Sequence, residues 1–380
     1  VTGTPVFAAI LLVAAVSSAS VEVHPATSDG LAIEVRVVAA YPEETLILGT
    51  RGGYDAVALA GTDLLHEAGK PELPVDIVRV ALPSGMIVTG VRVAAAARRD
   101  LPGRYDVPPA GGPRPIAALS DAATPGPDPR IYGSAEPYPR DTVTLLGQTD
   151  LAGQSVAVLR VCPVRYVPSS GRLTLATSIE IVIEGISGHA CGDYLPARAS
   201  SRTRAAFERM LRGAVANPGD VSLRTDPRPG ASRALEPGAY EYVIITDFGW
   251  VDDFQPLADW RTRKGSPATI VTTMWIYNLG GYSGTNLERI RAFVIDAHTT
   301  WGATHFLLGG DSNTIPDDVR QIEVPGYGVH DLANDTYFAD YDDDWVNEVH
   351  VGRASVRSAT DIATFIDKVF TYEKDPPPDY

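Results

Sequence analysis

The residues of this chain best suited to chemistry are carboxylates, gathered in two places. A strand-like apolar run, Phe306-Leu307-Leu308, stops at Gly309-Gly310-Asp311. A buried strand ending in Gly-Gly-Asp puts a carboxylate on a loop at the carboxyl edge of an α/β sheet, where such sheets build their sites. Further along, Asp340, Asp342, Asp344 and Glu348 crowd one loop that leads into Val349-His350-Val351-Gly352-Arg353. Hard oxygens at that density suit a divalent cation, calcium above all, and without one they would repel each other. The loop lacks the glycine and the full spacing of an EF-hand. Arg353 reads either as a partner of these carboxylates or as a plain surface charge.

Candidate nucleophiles are few. Cys162 and Cys191 lie in no C-x-x-C pair, which argues against zinc. They are compatible with one disulfide or with two separate thiols. Gly188-His189-Ala190-Cys191-Gly192 sets a His and a Cys too close in sequence for a dyad, whose members need separate rigid supports facing one reaction centre. A turn or a disulfide cysteine is the reading for that segment. Gly280-Gly281-Tyr282-Ser283-Gly284 has no Lys-Ser/Thr after it and is not a phosphate loop.

The elements that must position these residues change character along the chain. Of 380 residues, 44% are apolar, enough for two or three domains with real cores. The net charge of −15 is uneven: residues 1–235 carry 23 acidic and 22 basic side chains, residues 236–380 carry 24 and 10. The acidic second part excludes nucleic acid as its partner, since phosphate binding needs a basic face. Residues 1–19 read as a secretory leader, with the apolar run Phe7–Val16 and a small-residue site at Ser17-Ser18-Ala19. No basic residue precedes that run, and it is too short to span a bilayer. No other segment reads as a membrane span, so the product is expected to be secreted or held at the cell surface.

Residues 20–194 alternate in short runs such as Leu31–Val38, Val75–Leu82, Met86–Val93, Ser155–Val161 and Ile179–Glu184, bounded by turn residues. That spacing predicts a β-sandwich. Residues 102–139 are rich in Pro, Gly and Ala and read as an irregular wrap. Residues 195–235 read as a linker that begins as a short helix, Ala205–Arg212, and then dissolves into Pro-Gly segments. Its eight arginines and absent lysines fit either a solvated connector or a processing site for an Arg-cutting protease, after Arg228 or Arg233. From residue 236 the pattern turns to strands alternating with helices: Tyr242–Thr246, Ala268–Thr272, His305–Leu308 and Glu348–Gly352, separated by helical spacing over Phe254–Arg261, Asn286–Ala297 and Ala359–Tyr372. Such alternation predicts a mostly parallel sheet covered on both faces, a three-layer α/β unit. Trp260, Leu287, Ile290 and Trp301 are expected to face its core.

The segments Val243–Thr246, Pro256–Trp260 with Arg263–Gly265, Ile290–Gly302, Phe306–Asp311 with Ile315-Pro316, Asp335–Asp340, Val349–Arg353 and Tyr372–Lys374 resemble, in order and spacing, the N-terminal part of the gingipain-type cysteine peptidase domain, peptidase family C25. Gly69–Pro74 and Pro163–Pro168 with Gly171–Leu173 resemble the β-rich propeptide of that family. The resemblance implies a caspase-like (Rossmann-like) α/β subdomain after a β-sandwich propeptide that packs on it. It implies a secreted zymogen that cuts protein or peptide substrates through a His–Cys dyad, the cysteine as nucleophile and backbone amides holding the oxyanion. In that family the His is followed by Gly, and both dyad residues come after the part matched here. No histidine of this chain precedes a Gly, and residues 236–380 contain no cysteine, so residues 1–380 alone are expected to be inactive. The resemblance also implies structural calcium, with Asp344 and Glu348 as side-chain ligands, the carbonyls of Tyr341 and Val346 between them, and Asp311 near a cation. The competing expectations are a non-catalytic binding or scaffold module, or an unrelated α/β enzyme with a metal at Asp311 and the acidic loop.

Overall fold

A computed structural model describes residues 20–111, 126–188, 194–225, 235, 238–324, 328–343 and 346–374. The expected leader, the Cys191 turn, Arg228, Arg233 and Asp344 lie outside the described residues. Two compact bodies are distinguished, one formed by described residues up to 80, 86–147 and 157–188, the other by 81–85, 148–156 and the described residues from 194 onward.

The first body is β-rich. Its largest sheet is antiparallel and centres on Arg172–Ser187. Met86–Asp100 pairs along one edge of that strand, and Ala32–Ala40 and then Val164–Val167 along the other. The period of two is explicit: Ile179, Ile181 and Ile183 are fully buried while Glu180 and Glu184 face outward. Asp63–Leu64, Pro74–Ala81, Gln154–Val161 and Val143–Leu151 make a second sheet in that order. Each of the two sheets carries fully buried side chains, among them Ile181 in the first and Val80 and Leu159 in the second. A separate hairpin, Leu46–Arg51 with Tyr54–Leu59, was not expected. The described part of the irregular stretch after residue 101 is held against the body: Val107 and Ala110 are fully buried, and the Ala110 amide donates to the Lys70 carbonyl while its own carbonyl accepts from the Gly69 amide.

The second body holds helix α1 (Ser201–Ala214), strand β1 (Tyr242–Thr246), α2 (Val251–Arg263), β2 (Ala268–Thr272), α3 (Thr273–Asn278), α4 (Asn286–Trp301), β3 (His305–Gly309), the hairpin β4 (Asp318–Val324) and β5 (Gly328–Asn334), β6 (His350–Ala354) and α5 (Ala359–Lys374). The main sheet runs β2-β1-β3-β6, with every pairing parallel. Across the described residues the sheets are mixed: antiparallel pairings build the sheet centred on Arg172–Ser187 and both hairpins, and an isolated parallel bridge joins Leu195 to Thr225. Alternate side chains of β1 and β3 feed two cores. Val243, Ile245, Phe306 and Leu308 pack with Ile290, Phe293, Val294 and Ala297 of α4, while Ile244 and Leu307 pack with Phe254 and Leu257 of α2 and Ile362 and Ile366 of α5. That is why each strand is apolar at consecutive positions. Helix α4 begins at a capping box, Thr285 with Glu288, and ends at Gly302 in the left-handed region (φ 79). A side chain at Gly302 would also press on the Arg198 carbonyl, 3.0 Å from its Cβ.

The solvated-connector reading fails for the first half of the linker. Helix α1 is longer than expected and buries Phe207 and Leu211, which cluster with Leu195, Val215, Val221, Ala81, Leu151 and Val156. Two buried amides fix this cluster: Asn217 exchanges hydrogen bonds with both backbone groups of Ala81, and Gln154 donates to Leu82 and accepts from the Ser222 amide. Buried amides so satisfied specify one arrangement rather than many.

Candidate functional site

The carboxyl edge of β3 and β6 is built around two Arg–Asp pairs. The strand order reverses between β1 and β3, the point where sheets of this kind generally place a crevice beyond their carboxyl ends. Gly309 and Gly310 are needed there because a Cβ at either would lie 2.7 Å from Phe254 or Thr314. The turn delivers Asp311, which is 7% exposed. Its carboxylate accepts from Arg357 Nε at 2.6 Å, the Asn313 amide at 3.0 Å and the Asn313 side chain at 3.1 Å. The Arg357 guanidinium, aided by Asn313, holds this carboxyl below the usual range. Beside it, Arg353 pairs with both oxygens of Asp335, at 2.6 and 2.8 Å, and donates to the carbonyls of Gly310 and Ile315. Arg353 is therefore neither a partner of the acidic loop nor a surface charge. It clamps the turn that carries Asp311, a role hidden in sequence because its acceptors precede it by 18 to 43 positions.

The acidic loop lies at the other end of the sheet. In the parallel register His305 pairs with His350 and Gly309 with Ala354, so Asp311 follows one end of the strands and Glu348 precedes the other. A five-residue strand, roughly 15 Å, intervenes. The structure does not bring Asp311 to the loop, and no single ion can take both. It does bring Asp340, Asp342 and Glu348 together, with one carboxylate oxygen from each within 4.8 Å of the others. Glu348 and Asp340 are buried and Asp342 is exposed. The span fits an ion whose oxygen ligands stand about 2.3–2.6 Å away. Tyr341 closes the loop on itself, its amide donating to Glu348 Oε2 at 2.5 Å. Its carbonyl accepts from Arg291 Nη2 at 3.1 Å. The Val346 side chain packs toward the α1 cluster. His298, buried on α4, stands ring to ring with Tyr341 and meets the Ala303 carbonyl through Nδ1 at 2.7 Å. A carbonyl only accepts, so Nδ1 carries a proton, and burial lowers the ring's affinity for a second one to about 4.

Of the chain's two cysteines, Cys162 lies among the described residues. Cys162 is buried in the first body and unbonded, and burial raises its thiol to about 11. That is the environment of an inert structural thiol. His305 and His350 face each other at the amino ends of β3 and β6, with ring centroids 4.8 Å apart, away from the carboxyl edge.

Comparison with known proteins places the α/β part. Residues 236–380 match the model of Peptidase family C25. Gingipain R2 of Porphyromonas gingivalis, in two strains, is 23% identical over 262 residues, which is 67% of this chain and 32% of that protein. The chain thus spans about a third of the length of these relatives. Among solved structures, a complex of Porphyromonas gingivalis RgpB pro- and mature domains is 17% identical with a TM-score of 0.40, over 53% of this chain and 99% of that one. A structure addressing the zymogenic latency of gingipain K is 18% identical with a TM-score of 0.33, over 45% and 94%. No helix among the described residues is long and apolar enough to cross a membrane.

Proposed function

We propose that this chain is the prosegment and first part of the catalytic domain of a secreted, gingipain-like cysteine endopeptidase. The observation that carries the reading is that residues 236–380 match the peptidase family yet contain no cysteine. In this reading the nucleophile and its histidine are supplied by sequence after residue 380. The β-rich body acts as the prosegment and residues 1–19 as the export leader. Cleavage falls after Arg228 or Arg233, because the arginines from Arg202 to Arg212 are held within a folded helix that a protease cannot thread.

Within this reading, calcium is structural. Asp340, Asp342 and Glu348 would hold it, with Asp344 of the same loop. The ion supplies the counter-charge that lets a carboxylate cluster remain buried, and so fixes the loop ahead of β6. Chelation with EGTA is expected to lower the melting temperature, and Glu348→Gln to erase the effect of added calcium. A melting temperature indifferent to both would remove the ion from the account. The peptidase reading itself is tested by assaying the full-length parent protein and residues 1–380 side by side on protein substrates. The parent is expected to cleave after processing and to be blocked by thiol reagents, and residues 1–380 to be inactive. A processed parent without peptidase activity would favour a binding module instead.

A further inference from the structure

The β-rich body carries a basic cleft that the peptidase reading does not use. It measures about 410 Å³ and is lined by Arg98, Arg165 and Arg172 together with Asp100 and Thr174. The sheet register explains the convergence. Thr174 stands opposite Asp100 on one side and Arg165 on the other. Arg98 and Arg172 are each two residues from a member of that row, so all lie on one face. Elsewhere on this sheet arginines are matched to acids: Arg36 with Glu180 at 3.1 Å, Arg92 with Glu184 at 2.5 Å and Glu34 at 3.5 Å, and Arg99 with Glu43. Among the described residues, none of the three cleft arginines forms an ion pair with a carboxylate. Asp100 is taken by the Thr174 hydroxyl at 2.6 Å. Arg165 is fixed by donating to the carbonyls of Pro139 and Arg140 at 3.2 and 3.0 Å. Burial, and then the like charge of Arg98, push Arg165 below its ordinary value, against the pull of Asp141 and Glu136.

We propose that this cleft binds a phosphate or sulfate group. Three guanidiniums and one carboxylate leave a lining charge of +2, which a dianion matches. Guanidinium forks arriving from three strands suit a tetrahedral oxyanion, which accepts in several directions, better than a planar carboxylate. The cleft is larger than a bare oxyanion, so the group can be free or carried as an ester on a sugar.

The test is calorimetric titration of the whole chain with inorganic phosphate, inorganic sulfate, glucose 6-phosphate and acetate, at ionic strength held constant with chloride. Saturable binding of phosphate or sulfate is expected, weakened at least about tenfold in the Arg98→Ala/Arg172→Ala variant. Arg36→Ala, on the same sheet but outside the cleft, should bind as the parent does. Tighter binding of glucose 6-phosphate than of free phosphate would support the site and mark the ester as its ligand. Both cleft side chains are exposed, so the double variant should keep its melting temperature in chloride; if it does not, Arg98→Ala alone takes its place. Undiminished binding in that variant, acetate binding as tightly as phosphate, or no saturation beyond the chloride control would each overturn the proposal.

Discussion

At the scale of single residues, the carboxyl edge depends on charges that neutralise one another across long sequence separations. Arg353 is the clearest case. Its side chain is 12% exposed, and its five N–H groups are spent on Asp335 and on the carbonyls of the Asp311 turn. Lysine keeps the charge but cannot reproduce the fork. Arg353→Lys is therefore expected to cost about 2 kcal/mol, read by urea denaturation, and Arg353→Ala more, because Asp335 is left without its partner. Equal stability of all three proteins would show that the clamp is ornamental. The acceptors Gly310 and Asp335 could not be foreseen from local sequence: the parallel register of β3 and β6 brings Gly310 to Arg353, and Asp335 arrives from the turn after β5. The carboxylates themselves were legible, as Asp340, Asp342 and Glu348 are neighbours in the chain. The parallel register then sets Asp311 and this cluster at opposite edges of the sheet.

At the scale of elements, apolar runs and helical spacing identified the four strands of the α/β sheet and helices α2, α4 and α5, and missed the six-residue α3. The hairpin β4–β5 was missed for a physical reason: Val319, Ile322, Val329 and Leu332 alternate with charges on a ribbon exposed on both faces, so no side of it reads as a core. Helix α1 was half seen. Phe207, Leu211 and Val215 fall at helical spacing, yet their partners at 81 and 151–156 are distant, and Asn217-Pro218-Gly219 reads locally as a breaker. If the cluster is a true core, Leu211→Ala should cost about 2–4 kcal/mol in chemical denaturation, while Arg209→Ala on the exposed side stays within about 0.5. Similar small effects from both would return the segment to the status of a solvated connector.

For the molecule as a whole, acid should be the weak point, and buried histidines set the range. His298 is fully buried and its proton affinity is lowered to about 4, chiefly by burial. His305 is lowered to about 4 as well, by burial first and then by His350, with Arg261 and Arg202 adding to the effect and Glu241 opposing it. Unfolded histidine takes up its proton near 6.5. Between about pH 6.5 and 4 the unfolded chain binds more protons, so stability falls as pH falls through that window. His298 alone contributes at most about 3 kcal/mol to the loss. His298→Asn keeps a donor for Ala303 without titrating, and should flatten the decline in melting temperature. An identical slope in the variant would move the acid sensitivity elsewhere.

The central claim is that the family's chemistry is done by a cysteine after the segment described, and it can be read directly. The parent protein, processed and active, is treated with a peptide-based affinity label that alkylates catalytic cysteines, and the modified residue is mapped by mass spectrometry. The account predicts one labelled cysteine located after residue 380, with Cys162 untouched, since its buried thiol, raised to about 11, offers almost no thiolate. Activity-dependent labelling of Cys162 or Cys191, or peptidase activity from residues 1–380 alone, would contradict it.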